Sequence, residues 1–246
     1  LAQESDLTDP WVITSEQFGI GTRTGVDLPG EVAGAVPGRE WKRAYWEATR
    51  EESCRRAESG YPEESDPDRR AFLEQLAAEN CEDGWQYRPG DAANFSIGQG
   101  DVSVTPLRMA VVYAAIANGG TLWEPQVVDQ VRTPAGDLVE DVEPVVAGEI
   151  GLDAEVLEIV RSGLEGVNTG GTGVPAFSGF DLVGYPVAGK TGSAESFGER
   201  STAWYASYGP TTEPEYAVVV VIEQGGIGGD IAAPAARRIW DVLAEP

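Results

Sequence analysis

The chain has 246 residues with a formal charge of −24, from 41 acidic and 17 basic side chains, and it contains no histidine. The missing imidazole excludes Ser-His-Asp and Cys-His catalysis and histidine-bearing metal sites, leaving lysine, carboxylate, tyrosine and hydroxyl groups for acid–base work. The acidic surplus repels a phosphate backbone and argues against nucleic-acid binding and polybasic membrane docking. The longest apolar run, residues 217–222, is far short of the roughly 20 residues a membrane helix needs.

The chain begins LAQESDLTDP, with neither initiator methionine nor the pattern of a secretion signal, and is expected to be a piece of something longer. Residues 18–34, FGIGTRTGVDLPGEVAG, alternate glycines with short apolar pairs and read as a structured loop. A helix is predicted over about 39–58, and a second from an Asp66 cap and Pro67 to about Glu82. This charge-dense stretch, about 43–84, reads as an insertion: a docking surface or merely a solvated hairpin. Its cysteines, Cys54 and Cys81, are the only two in the chain, which leaves a disulfide open. A simple antiparallel hairpin would set them about ten residues, roughly 15 Å, out of register. A bridge needs Cα atoms within about 7 Å, so it would require a bent connection.

Residues 96–120 carry a clear helix grammar, with Thr105 as N-cap, Pro106 in the first turn, apolar residues through Ile116 and a Gly119-Gly120 stop. Alanines at 110, 114, 115 and 117 allow close packing. The segment TLWEPQVVDQVRTPAGDLVE alternates around Val127, Val128 and Val131 and predicts a peripheral hairpin. Over 152–167 an amphipathic helix is expected behind Asp153, with Val156, Ile159/Val160, Leu164 and Val167 on its apolar stripe and the glycine-rich NTGGTG ending it. Three strands follow, at 183–195, 202–209 and 215–223, whose short links imply antiparallel neighbours. A last helix is predicted from an Asp230 cap to about Leu243, with Ile231, Ala235, Ile239, Trp240 and Leu243 as contacts. Helices, a meander, then a helix make an α+β arrangement: an antiparallel sheet flanked by helices.

Lys190 stands in the first of these strands, in VAGKTGSAE, and only Lys42 accompanies it as a lysine. An unpaired buried ammonium is costly, so either Lys190 snorkels to a solvated face or the strand is built around it. Its flanking glycines, Gly189 and Gly192, weaken a strand unless something needs close access to the backbone, such as an extended peptide bonding along an open edge. Period-2 alternation sends Thr191 and Ser193 to one side, offering two hydroxyls to an anionic group beside the lysine charge.

KTGSAE at 190–195 and AWYASYGP after it resemble the third signature of the penicillin-binding serine acyltransferases, whose set is Ser-x-x-Lys, Ser-x-Asn and Lys-Thr-Gly. SIGQG with TPLRMAVVYAAIANGG, FGIGTRTGVDLPGE, REWK and GGIGGDIAAPAARRIWD are similar to the transpeptidase domain of class B, monofunctional, elongation-type penicillin-binding proteins. SIGQG and Thr105-Pro106 themselves read as loop and cap. The resemblance covers nearly the whole chain outside the insertion. It implies the fold of the penicillin-binding proteins and serine β-lactamases, and a D,D-transpeptidase that cross-links peptidoglycan stem peptides and is acylated by β-lactam antibiotics. In that frame Lys190 anchors charge and links a proton relay, and Thr191 and Ser193 hold the carboxylate of acyl-D-Ala-D-Ala. Gly192 leaves room for the substrate, the Ser193 N–H supplies half an oxyanion hole, and Ala194 completes the binding strand. No cofactor or metal is implied. The implied partners are stem peptides, β-lactams, the missing N-terminal part of the same domain and a membrane glycosyltransferase; the implied location is the outer face of the cytoplasmic membrane, held by an N-terminal anchor.

No serine has a lysine three residues on, Ser53 with Arg56 coming nearest, and neither Ser-x-Asn nor Tyr-x-Asn occurs. The chain is therefore expected to be the C-terminal part of the domain, inactive alone, incomplete on its N-terminal side and left with an unpaired sheet edge and an uncovered apolar face. The alternative is a non-catalytic scaffold of the same fold that senses β-lactams or binds wall peptides. A β-lactamase fits less well, since nothing like its deacylating glutamate loop stands out.

Overall fold

The computed structural model describes residues 9–195 and 200–245. They fall into two compact units, one comprising residues up to Ser15 with Ala35–Val102, the other Glu16–Gly34 with Ser103 onward. Helix α1 (Pro10–Gln17) contributes residues to both.

The first unit is helical. Helix α2 (Arg39–Ser59) packs along α3 (Pro67–Asp83), and a short α4 (Pro89–Phe95) follows. As the sequence predicts, Asp66 caps α3, its carboxylate accepting from the N–H groups of Asp68 and Arg69. Cys54 and Cys81 form a disulfide with Cα atoms 4.6 Å apart. The out-of-register argument fails because the hairpin is not simple: α3 is slid along α2. Glu74 lies against Gly60, and the Arg50 guanidinium donates to the Cys81 carbonyl at 3.1 Å. That slide brings residue 81 level with residue 54. Trp11 of α1 stacks on Phe95 of α4, which meets Tyr87 edge-on.

The second unit is a three-layer sandwich. Strands β5 (Ala188–Ala194), β6 (Thr202–Gly209) and β7 (Tyr216–Ile222) form the predicted antiparallel meander in the order β5-β6-β7. On one face lie α5 (Pro106–Asn118) and α6 (Ala154–Gly170), where Val111, Val112, Ala115 and Leu157 meet Ala188, Ala206 and Tyr208. On the other lie α7 (Val174–Phe177) and α8 (Ala232–Leu243), packing Phe177, Ala232, Ala236 and Trp240 against Val187, Tyr205 and Val218. The two clusters alternate along each strand, the signature of a sheet covered on both faces. Strand β1 (Thr121–Trp123) pairs with β4 (Val146–Glu149), and β2 (Gln130–Arg132) with β3 (Leu138–Asp141). The second pair is the expected hairpin, although Val127 and Val128 precede its strands.

Helix α5 follows its sequence grammar: the Thr105 hydroxyl accepts from the Arg108 N–H, and Gly119 ends the helix at φ 103°. Arg161 of α6 donates to the carbonyls of Ile116 and Ala117, placing a cation at the negative end of α5. The buried Arg108 guanidinium donates to the carbonyls of Thr22 and Arg23, holding the irregular 18–34 loop. The same loop is pinned by two carboxylates. Glu31 accepts from the N–H groups of Thr24 and Gly25, and Asp27 from those of Val127 and Val128. Those backbone bonds hold the Asp27 carboxyl below its ordinary range. For Glu31 partial burial pushes upward, and the bonds from Thr24 and Gly25 together with the Arg108 charge outweigh it.

Four helix and strand details differ from expectation. On α6 Val160 and Leu164 pack against the core as expected, but Leu157 is buried in place of Val156, and Val156 and Ile159 are exposed. The helix also runs through Gly170, taking in the start of NTGGTG. In α8 the buried residues are Ala232, Ala233, Ala236 and Trp240, with Ile231 and Ile239 exposed and Ile231, not Asp230, at the cap position. Three alanines let this helix lie close on the sheet, with Trp240 as the one large buried side chain on the packing face. Finally, 183–187 is not strand; Asp181 closes a turn there by accepting from the N–H groups of Val183 and Gly184.

Candidate active site

The Lys190 segment occupies β5, an edge strand. Among the described residues no strand pairs with the outer edge of β5, nor with that of β7. Opposite residues on neighbouring antiparallel strands share a face, so the register of Lys190 with Ala206 and of Gly192 with Trp204 puts both on the α5/α6 side. Thr191 opposite Tyr205 and Ser193 opposite Ala203 lie on the α7/α8 side. The strand therefore presents its lysine on one face and its two hydroxyls on the other.

Lys190 is not buried. Its side chain is exposed, the ammonium donates to the Thr191 carbonyl at 2.8 Å, and among the described residues it pairs with no carboxylate. Of the two sequence readings of this lysine, the solvated one holds for its environment, so no burial cost has to be offset.

The hydroxyl face is organised by two loops of the same unit. The Thr191 and Thr172 hydroxyls are 2.6 Å apart, and Ser193 Oγ accepts from the Gly228 N–H at 3.0 Å. Gly228 sits so close that a β-carbon there would overlap the Gly192 carbonyl oxygen and the Trp204 backbone. The 171–173 and 223–231 segments thus brace the strand from behind. The Lys190 side chain itself is exposed, and among the described residues no strand pairs with the outer edge.

Beneath the strand a buried polar chain fixes its entry. The Asn168 amide donates to the Val187 carbonyl at 2.7 Å, and its oxygen accepts from the Tyr205 hydroxyl at 2.8 Å. Burial pushes the Tyr205 phenol up, against the lowering effect of that bond, so it stays protonated and donating. Gly189 lies over this phenol, and a β-carbon there would come within 2.5 Å of its oxygen. Trp240 in turn donates to Ser207 Oγ, which donates to the Val218 carbonyl, tying α8 to β6 and β7.

Of the residues singled out by sequence, Lys190, Thr191, Gly192, Ser193 and Ala194 are consecutive on one accessible strand; Cys54 and Cys81 belong to the helical unit. Thr172, Gly228, Asn168 and Tyr205 escaped the sequence reading. The glycine-rich NTGGTG and GGIGGD stretches mark two of them, but nothing local tells which strand such loops will brace. Among the described residues no group of three or more potential ligating side chains could hold a metal ion.

The family model described as the penicillin binding protein transpeptidase domain matches residues 8–241. The "Peptidoglycan D,D-transpeptidase MrdA" of Haemophilus influenzae is 25% identical over 92% of this chain and 31% of its own length. "Peptidoglycan D,D-transpeptidase PbpA" of Mycolicibacterium smegmatis is 34% identical over 58% of this chain and 30% of its own. The crystal structure of Pseudomonas aeruginosa PBP2 in complex with WCK 5153 superposes with a TM-score of 0.63 at 25% identity, covering 96% of this chain and 44% of that one. The chain spans about a third of the length of these curated relatives. A family match across nearly all of its residues, together with a shared fold, makes this chain a member of the penicillin-binding protein transpeptidase domain family.

Proposed function

We propose that the whole protein is a peptidoglycan D,D-transpeptidase and that this chain supplies one wall of its substrate cleft. The observation that carries the reading is the exposed Lys190 on an edge strand whose outer side is unpaired among the described residues. Such a strand accepts an extended acyl-D-Ala-D-Ala peptide by backbone pairing, with affinity from main-chain bonds and selectivity from the side chains at its rim.

In this reading a serine outside these residues attacks the penultimate D-alanine carbonyl, forming an ester as the terminal peptide bond breaks and D-alanine leaves with the serine's proton on its amine. Lys190 stabilises charge and relays the proton, the Ser193 N–H shares in binding the oxyanion, and the terminal carboxylate is held by the Thr191 and Ser193 hydroxyls at the strand edge. Gly192 and Ala194 keep the strand low enough for the ligand. The sequence supports the division of labour, since no Ser-x-x-Lys occurs in it, and β-lactams would acylate the same external serine. The work would be done at the outer face of the cytoplasmic membrane beside a glycosyltransferase; among the described residues no helix is long and apolar enough to cross a membrane.

The test is labelling of the full-length protein with fluorescent penicillin, followed by mass spectrometry of the adduct. We expect one covalent adduct on a serine outside residues 1–246, and at least a ~100-fold slower reaction in Lys190→Ala, the scale on which loss of a relay or electrostatic group acts. An adduct within these residues overturns the proposal, and absence of any adduct favours the non-catalytic scaffold.

A further inference from the structure

The helical unit holds a cleft of about 260 Å³ that the transpeptidase reading does not use. It is lined by Tyr45, Trp46, Leu76, Asn80, Gln86 and Phe95. Its size falls just below that of drug-sized ligand sites, room for a single sugar ring.

Its chemistry is selective. Two cations and two carboxylates among the lining residues cancel, and the cations are already engaged: Lys42 binds Asp101 at 2.6 Å, and Arg88 binds Glu79 and Asp83 at 2.7 Å each. An anionic ligand would have to displace a carboxylate from one of these cations to enter, while Asp91, the remaining lining carboxylate, accepts from the Arg88 N–H at 2.8 Å. The other polar groups offered to a ligand are neutral: the Asn80 and Gln86 carboxamides, each with donor and acceptor capacity, line the cleft together with the aromatic side chains of Tyr45, Trp46 and Phe95. Apolar C–H faces beside ring faces, with hydroxyls or amides meeting carboxamides, is the complement of an uncharged saccharide.

The walls are also set in advance. The Cys54–Cys81 bridge and the bond from the Trp46 indole to the Asn80 carbonyl fix α2 against α3, and Trp46 is flanked by the Arg50 guanidinium. A preformed cleft avoids the ordering cost that weakens binding to a mobile surface. We propose that this cleft is a non-catalytic subsite for a neutral, N-acetylated saccharide. That such a sugar comes from a wall glycan rests on the transpeptidase reading; the site itself does not.

Titration of the full-length protein with chitotetraose, read by saturation-transfer NMR and by calorimetry, tests this. Saturable binding is expected, weakened about fivefold or more in Tyr45→Ala and in Asn80→Ala, with unchanged penicillin labelling in both variants. Tyr45 is half exposed, so its replacement leaves the fold in place. No binding to the correctly folded wild type, or binding indifferent to both substitutions, overturns the subsite, as does preference for an anionic or a cationic peptide of similar size over the sugar. Sugar binding without penicillin labelling leaves the subsite standing and removes the transpeptidase reading; labelling without sugar binding does the reverse.

Discussion

A β-carbon on residue 228 would enter the space of the Gly192 carbonyl oxygen and approach the Trp204 oxygen to 2.5 Å, both backbone atoms of the strands it braces. Backbone cannot swing aside as a side chain can, so Gly228→Ala must lift the 223–231 loop and surrender its N–H bond to Ser193 Oγ. Overpacking of this kind costs about 1–3 kcal/mol. At Gly229 the nearest neighbour of an added carbon is the Thr172 oxygen at 3.1 Å, which a few tenths of an ångström relieve. Urea unfolding and the rate of penicillin labelling of the full-length protein should therefore both fall in Gly228→Ala and much less in Gly229→Ala. Equal behaviour of the two would show that the loop does not set the position of Ser193. Neither contact is legible in the sequence, because Gly228 and Ser193 stand 35 residues apart and each lies in a stretch whose glycines predict only a turn. What could be read was the strand itself: Lys-Thr-Gly between glycines, followed by two more alternating segments.

At the scale of elements, the helices with explicit start and stop residues were the most legible. Thr105, Pro106 and Gly119 define α5, and Asp66 with Pro67 opens α3, since caps act through groups within a turn of one another. The faces of α6 and α8 were less so. Both expectations placed isoleucines or valines on the packed stripe, yet Ala232, Ala233 and Ala236 are fully buried while Ile239 is 42% exposed, a choice made by how near the sheet lies. The disulfide is the clearest case of tertiary geometry deciding, because the register of α2 against α3 depends on how far the 60–66 connection slides them. With a sequence separation of 27, the bridge removes unfolded-chain entropy equivalent to about 3–4 kcal/mol in the loop-closure picture. We expect Cys54→Ala/Cys81→Ala, or reduction with dithiothreitol, to lower the stability of the helical unit by that order. Loss of the indole environment of Trp46, which leans on Asn80 and Arg50, reports it by fluorescence. An unchanged unfolding midpoint would mean that the α2/α3 contacts alone hold the register.

Across the whole molecule the dominant physical quantity is charge. Forty-one acidic side chains against seventeen basic ones leave an excess of 24 negative charges. Mutual repulsion among so many carboxylates favours the expanded chain. Ion pairs pull the other way: Arg56 bonds Glu52 and Glu63, and Arg237 bonds Asp241, but these pairs are largely exposed. Exposed pairs contribute about 0–1 kcal/mol each and are themselves weakened by salt. Two opposite salt effects therefore compete. Screening shortens the reach of repulsion to about 8 Å near physiological ionic strength, removing the many long-range carboxylate–carboxylate terms while leaving contact pairs partly intact. Because the excess is spread over the chain and the pairs are few and local, the repulsive term is the larger. Raising sodium chloride from low to moderate concentration should accordingly raise the melting temperature, by roughly 3 °C for each kcal/mol of repulsion relieved. The gain should flatten once the screening length falls below the spacing of neighbouring carboxylates. A melting temperature that drops steadily with salt would show instead that the arginine pairs outweigh the net charge in holding these two units folded.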